Sequence, residues 1–594
     1  MAQPGPFLGV SSSLTGRTWR ERPADPALVR ALEARHGLAE PLARAIASRG
    51  VSEDQAEHFL RPTLKALFPD PSSFLDMDRA AEVLVDALVS RRPMTIFADY
   101  DVDGASSAAQ IVRWFRHMGL ELPIYVPDRV NEGYGPSEAA FRKLKGQGTE
   151  LVITVDCGAA AHDALAAAAA MHLDVVVIDH HLMREDPPPA LALVNPNRPG
   201  DNSGQGNLAA AGVAFVLLAA LNREARRCGL FETRPEPDVR QWMDLAAMGA
   251  VCDVTSLTGF NRAIAALGLN VMSRWANPGL KALLEIAGGS GPASVFHAGF
   301  ILGPRINAGG RIGRSDLGAR LLSTDDPAEA ADLARQLDAL NSERKQVEQA
   351  VIDEAVARLE AEGGTDAPAI VVAAEGWHPG VVGIVASRLR ERYRRPVFVI
   401  GIDTAAGVGK GSGRSQPGVN LGAAVQKAFE DGLLLAGGGH AMAAGLTIRA
   451  GEIDRFRAYL CEALEGQMIA AAEADAVDID VLVSPGPGNR ALSDAFGILA
   501  PFGPGNPEPM FALADVRSDR PILMKGGHVR TQLVDASGRR IKAVAWRSAE
   551  TPLGQRLLAG QGGLHVAGKL QADDWQGRQS VEIVVEDVAD ARMA

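Results

Sequence analysis

Three apolar runs, Met94-Thr-Ile-Phe-Ala98, Leu151-Val-Ile-Thr-Val155 and Asp174-Val-Val-Val-Ile178, each stop on an aspartate: Asp99, Asp156 and Asp179. Helix-like segments alternate with them, Gly104 to His117 and Ala159 to Met171, and Pro123 to Val126 reads as one more strand. Strand-helix-strand alternation at this spacing predicts a parallel sheet covered by helices. In such a sheet ligands bind at the C-terminal strand ends. The pattern therefore fixes both a fold class and the edge on which to look for chemistry.

Those ends carry Asp99-Tyr100-Asp101-Val102-Asp103-Gly104, then Asp156-Cys157-Gly158, then Asp179-His180-His181. A lone acidic turn is ordinarily a solvated loop with an aspartate capping the next helix, and paired histidines are common on surfaces. Three polar clusters at three strand ends are harder to explain that way. Crowded carboxylates repel unless a cation binds them or a proton is shared, and hard oxygen ligands suit Mg2+ or Mn2+. The pattern points to a divalent-metal site at the strand ends. Asp253, after a helical segment from Trp242 to Met248, says little alone.

The rest of the chain reads as an α/β multidomain protein. Residues 1–90 look like short helices that cap the next domain, and residues 91–325 hold the parallel sheet and further helices. Asp326 and Pro327 suit the N-cap and first position of a helix running to about residue 363, roughly 50 Å long, that links two domains. A coiled-coil seam is the alternative, but the apolar positions are too alanine-rich and irregular for one. Residues 364–470 return to α/β character. After a turn-rich stretch from Pro485 to Pro509, the remainder of 471–594 reads as a small β-barrel. The net charge of −12 argues against a polyanion partner when taken alone. Metal-binding carboxylates inflate that sum, however, and residues 516–594 hold twelve Arg and Lys against nine Asp and Glu. Four widely spaced cysteines without a CxxC pair argue against disulfides or a zinc knuckle and suit a reducing cytosol. No transmembrane span or signal peptide is expected.

The DYDxDG, VDCG and DHH elements, in this order and spacing, resemble the DHH phosphoesterase superfamily. Pro127-Asp-Arg-Val-Asn-Glu-Gly-Tyr-Gly135, Leu302-Gly-Pro-Arg-Ile-Asn-Ala-Gly-Gly-Arg311, Gly411-Ser-Gly-Arg-Ser415, Gly438-Gly-His-Ala-Met-Ala-Ala-Gly445 and Pro501-Phe-Gly-Pro-Gly-Asn-Pro507 are similar to the RecJ family of bacterial single-strand-DNA exonucleases within it. The likeness runs from about residue 40 onward. It implies a DHH domain, a long linking helix, a DHH-associated α/β domain and an oligonucleotide-binding barrel. It implies Asp101, Asp103, Asp156, His180 and Asp253 as ligands of an Mn2+ or Mg2+ pair, with Asp156 bridging, Asp99 and Asp179 orienting the ligands, and His181 on the scissile phosphate. It places Arg305, Ser412 and Arg414 in a 5′-phosphate pocket and His440 facing the metals. The segment Gly411–Ser415 is read as a glycine-rich loop whose amides and Arg414 guanidinium suit phosphate. Trp377, His378, Trp546 and Trp575 are either base-stacking or simply packed residues.

The implied activity is 5′→3′ exonucleolysis of single-stranded DNA to 5′-mononucleotides in recombination and repair. The implied setting is the cytoplasm, without a membrane, as a monomer, with a helicase and a single-strand-binding protein as candidate partners. The rivals are a DHH-family oligoribonuclease or small-phosphoester hydrolase, which usually lacks the long helix and barrel, and an inert replication scaffold, which predicts lost ligands.

Overall fold

A computed structural model describes residues 5–128, 132–133, 135–183, 186–486, 488–573 and 580–591. The chain divides into two compact units, residues 68–473 and a second made of residues 1–67 with 474–594.

In the first unit, the strands Met94–Ala98, Ile124–Tyr125, Leu151–Val155, Asp174–Ile178 and Ala192–Val194 form one parallel sheet. Their spatial order, named by first residue, is Ile124, Met94, Leu151, Asp174, Ala192. Met94–Ala98 and Leu151–Val155 are buried throughout, as parallel strands covered on both faces must be. One face packs Phe97, Val152, Val175 and Val177 against Phe141, Leu144 and Leu165 of the helices Glu138–Gly146 and His162–Ala170. Beyond the sheet, helix Val102–His117 packs on Ala210–Arg227 and Met243–Cys252.

The linking helix spans Pro327–Glu362, about 54 Å. The Asp326 carboxylate accepts from Ala328 N at its start, and Gly363 ends it in the left-handed region. Near its start it contacts the helices Pro278–Ile286 and Gly303–Ile312. Farther along, Val351, Ala355 and Leu359 join a core with Val372, Val385, Leu389 and Val399. That core covers one face of a second sheet, ordered Ala436–His440, Ala443–Arg449, Val408–Arg414, Val397–Asp403, Ile370–Glu375.

The second unit corrects the expectation that residues 1–90 cap the sheet domain. Of the longer helices in that segment, only Met77–Val89 lies in the first unit. Residues before it contribute Val29, Leu32, Leu42 and Ile46 to one core with Leu513, Leu533, Ile541 and Ile583. An unanticipated strand, Thr18–Glu21, pairs in parallel with Ala476–Ile479. Trp19, fully buried, donates from Nε1 to Asp587 Oδ2 at 3.0 Å. Helical propensity in the N-terminal segment was legible, but its partner lay beyond any local pattern. The strands Phe511–Met524, His528–Val534, Arg540–Ala545, Ser580–Asp590 and Leu564–Asp573 pair in that order, and Phe511–Met524 also pairs Leu564–Asp573, which closes the barrel. The turn-rich stretch holds a helix, Gly488–Phe496.

Candidate metal centre

The sheet order reverses between Met94–Ala98 and Leu151–Val155, where crossovers leave in opposite directions and open a crevice. Asp99 and Asp156 leave the two strands that flank it. Asp101 does cap the following helix, its Oδ1 accepting from Asp103 N at 2.8 Å and Gly104 N at 3.1 Å. The acidic turn is thus both a helix cap and part of the cluster. Gly104 is required because a Cβ there would overlap the Asp99 carbonyl. Asp103 is buried and accepts from Ala210 N at 2.7 Å and Ala211 N at 2.9 Å, at the positive end of helix Ala210–Arg227. Asn307 Oδ1 accepts from Val102 N at 3.0 Å, so the Gly303–Ile312 helix braces the same turn. Asp156 sits at a φ of 59°, a left-handed conformation rare for aspartate.

His180 Nε2 stands 3.3 Å from Asp156 Oδ1 and 3.7 Å from both Asp103 Oδ2 and Asp253 Oδ2. This nitrogen is buried and makes no hydrogen bond. Three triplets place one donor atom each within 4.8 Å of one another: Asp156, His180 and His181; Asp103, His180 and Asp253; Asp99, Asp101 and Asp156. Asp179 faces the other way. Its Oδ1 accepts from His180 N at 2.7 Å, His181 N at 3.2 Å and His181 Nδ1 at 2.7 Å, and its Oδ2 accepts from Ala159 N at 2.9 Å.

The electrostatics describe a site short of positive charge. Burial, then the charges of Asp253 and Asp101, hold the Asp103 carboxyl well above its usual range. Burial, then Asp103 and Asp101, do the same to Asp156. Burial and Asp101 push Asp253 up to about 7. Burial, then the neighbouring His181 charge, lowers His180 to about 4, which keeps its imidazole neutral and able to coordinate. Burial would lower His181, but the hydrogen bond to Asp179 lifts it to about 9. Burial would raise Asp179, yet the same bond carries it down to about 2. Carboxylate oxygens around one unpartnered imidazole nitrogen fit a hard divalent cation.

The structure thus brings Asp99, Asp101, Asp103, Asp156, His180, His181 and Asp253 together, with Asp179 behind the histidines. Asp99 lies among potential ligands, nearer the cluster than an orienting role requires. Ser412 and Arg414 form a separate group: Arg414 Nη1 donates to Ser412 Oγ at 3.0 Å, and both side chains border Gly383 in the first turn of helix Val382–Tyr393. Arg305 Nε donates to Asp338 at 2.8 Å, and His440 is exposed at the end of its strand.

One reading needs correction and one open alternative is decided. Gly411–Arg414 belongs to an interior strand paired on both sides, so its amides serve the ladder and not a phosphate nest. Its glycines are there for packing: a Cβ at Gly411 would meet Ile400 at 2.9 Å, and one at Gly413 would meet Phe398 at 2.5 Å. Trp377 is buried, with Nε1 donating to Glu354 at 2.9 Å, which removes it as a stacking surface. Trp546 is exposed against His528. Trp575 and part of the Pro127–Gly135 segment lie outside the described residues.

Sequence reasoning missed Gly249 and the pair Asn195 and Asn197. A Cβ on Gly249 would overlap the Asp103 carboxylate and meet Ala211 Cβ at 2.5 Å. The asparagines follow the strand Ala192–Val194, the next strand end along the same edge, and that position was the available signal.

Residues 93–250 match the DHH family, N-terminal domain; residues 366–466 match the DHHA1 domain; residues 479–587 match the RecJ OB domain. The chain is 33% identical over 574 residues to the single-stranded-DNA-specific exonuclease RecJ of Bacillus subtilis (strain 168), covering 96% of this chain and 70% of that one. It is 32% identical over 557 residues to the enzyme of the same name from Escherichia coli (strain K12), covering 92% and 95%. The crystal structure of RecJ in complex with Mn2+ from Thermus thermophilus superposes with a TM-score of 0.78 at 30% identity, over 96% of this chain and 79% of that one.

Proposed function

Since the chain belongs to the RecJ family of single-stranded-DNA-specific exonucleases, we infer that it removes nucleotides one at a time from the 5′ end of a DNA single strand. It is a hydrolase of phosphodiester bonds, and its cofactor is a divalent metal, Mn2+ or Mg2+. The observation that carries the site assignment is the unpartnered His180 Nε2 facing three buried or half-buried carboxylates.

We assign Asp101, Asp103, Asp156, His180 and Asp253 as the residues that would hold a pair of divalent ions, with Asp156 shared by two of the ligand groups and Asp99 beside Asp101 and Asp156. When bound, the ions supply the positive charge that activates water and steadies the leaving oxygen. Asp179 orients: it takes both histidine amides and the His181 Nδ1 proton, so that His181 Nε2–H is the group that donates to the scissile phosphate as negative charge develops there. Arg414 and Ser412, beside the first turn of helix Val382–Tyr393, take the terminal 5′-phosphate, aided by Arg305 and His440. A pocket for a terminal group is what gives the reaction its direction.

The C-terminal barrel supports a long strand over a dinucleotide as substrate. An inert scaffold is disfavoured because every proposed ligand is present. We assign residues 91–325 to the catalytic module, 326–363 to its link and 364–470 to the associated module. We place the enzyme in the cytoplasm as a monomer in recombination and repair, with a helicase and a single-strand-binding protein as partners that prepare the strand. Among the described residues no helix is long and apolar enough to cross a membrane.

The deciding experiment incubates the protein and Mn2+ with a 5′-phosphorylated, 3′-labelled single strand, the same strand as duplex, and a dinucleotide. Progressive shortening of the single strand from its 5′ end with release of mononucleotides is expected. Preference for the dinucleotide, or internal cuts, would overturn the reading.

A further inference from the structure

The segment Asn195–Ala211 joins the sheet edge to helix Ala210–Arg227, and both of its ends bond to the metal centre. Asn195, fully buried, donates from Nδ2 to the His181 carbonyl at 2.8 Å, and its Oδ1 accepts from Asn197 N at 2.8 Å. Asn197 Nδ2 donates to the His180 carbonyl at 2.6 Å and to Gly206 O at 3.1 Å. Asn207 Nδ2 donates to Ser256 O and Thr258 O, each at 3.1 Å, in the strap that follows Asp253. The segment then ends on the two amides that hold the Asp103 carboxylate.

We propose that Asn195 and Asn197 are positioning residues of the hydrolytic centre, clamping the His180–His181 backbone so that His180 Nε2 is aimed into the carboxylates. The dipeptide is gripped from both sides. Its amide hydrogens go to Asp179, and its carbonyl oxygens go to the two asparagines. With both peptide planes fixed, little freedom is left to the coordinating nitrogen. Groups behind a metal ligand act by this kind of orientation, and their loss typically weakens metal binding or activity about 10–100-fold. Because Asn207 and the Asp103 amides belong to the same segment, the clamp also ties the histidines to the elements carrying Asp103 and Asp253. The proposal rests on the metal-site reading above but not on the identity of the substrate.

The test is calorimetric titration of the full-length protein with MnCl2 in the absence of DNA, for wild type, Asn197→Ala, Asn197→Asp and Asn195→Ala. Asn197→Ala should bind Mn2+ about 10–100-fold more weakly, keep its KM for the strand, and recover much of its kcat at saturating Mn2+. Asn197→Asp, which points an acceptor at the His180 carbonyl, should do no better than alanine. If Asn195→Ala fails to fold, the half-buried Asn197 carries the test. A merely structural role would lower Tm and leave the Mn2+ Kd in place. A folded Asn197→Ala protein with a Kd within about twofold of wild type overturns the proposal. Wild-type protein that binds Mn2+ but spares a single strand would instead count against the exonuclease reading and leave the clamp standing.

Discussion

Replacing Asp253 by asparagine should stabilise the metal-free protein while disabling the enzyme. Asp253 and Asp103 place carboxylate oxygens within 4.8 Å of each other around His180. Two unit charges at that distance repel by about 3.5 kcal/mol at an effective dielectric constant near 20. The shift of Asp253 to about 7 from an ordinary 3.8, caused first by burial and then by the Asp101 charge, corresponds to roughly 4 kcal/mol. Its side chain is 29% exposed, and solvent screening reduces the expected gain to about 2–3 kcal/mol. The sign follows from a folded-state pKa above the unfolded one: the wild-type native state loses stability as pH rises from about 4 through 7. The gain on substitution should therefore be complete at about pH 8 and absent near pH 4. In EDTA at about pH 8, calorimetry should show Asp253→Asn melting several degrees above wild type. Mn2+ at about a hundred times its Kd adds about 2.7 kcal/mol to wild type and little to the variant, so the difference between them closes or reverses, and exonuclease activity falls at least about 100-fold. A variant less stable than wild type in EDTA at that pH, or one with an undiminished Mn2+-induced shift, would refute the reasoning.

Gly249→Ala puts a methyl group into the Asp103 carboxylate; Mn2+ affinity and kcat should both drop at least about tenfold, and a wild-type Mn2+ isotherm would contradict the packing argument. Asp244, buried in the helix Met243–Cys252, is pushed up to about 6 by burial, against the opposing hydrogen bond from Leu245 N. Asp244→Asn should therefore add about 2–3 kcal/mol above about pH 6 and nothing below about pH 4, read from urea midpoints on either side of that window. Trp19→Ala removes a fully buried ring and its bond to Asp587. It should destabilise the barrel unit by roughly 3–5 kcal/mol, seen as an earlier urea transition of that unit, with the Mn2+ Kd unchanged.

Most of the metal cluster was legible because its strand-end parts are local. Asp99, Asp156 and Asp179 end apolar strands, and strand ends in a parallel sheet converge whatever the intervening loops do. Asp253 was not legible that way: it leaves a helix, and only the packing of Met243–Cys252 on Val102–His117 brings it beside Asp103. The same holds for Gly249, whose missing side chain matters only to Asp103 and its neighbours. The glycines of Gly411–Arg414 misled because a strand crowded by Phe398 and Ile400 has the composition of a phosphate-binding loop. The asparagines at 195 and 197 lay on the right edge, but nothing in their type says that they serve two carbonyl oxygens. Helix signals, by contrast, carried over directly, as the Asp326–Pro327 start and Gly363 stop of the linking helix show.

The pairing of Thr18–Glu21 with Ala476–Ile479 has a consequence for how the protein is made. Its partners are separated by 458 residues. At roughly 5–20 residues per second, translation of that interval takes on the order of 20–90 s. Throughout that time Trp19, Val29, Leu32 and Ile46 have left the ribosome without the barrel strands that cover them. The intervening unit can fold while this N-terminal segment waits, so the barrel strands complete a structure begun by residues made well before them. Contacts this distant in sequence form slowly. A nascent chain arrested before residue 511 would carry the metal-centre residues and the smaller share of the barrel core.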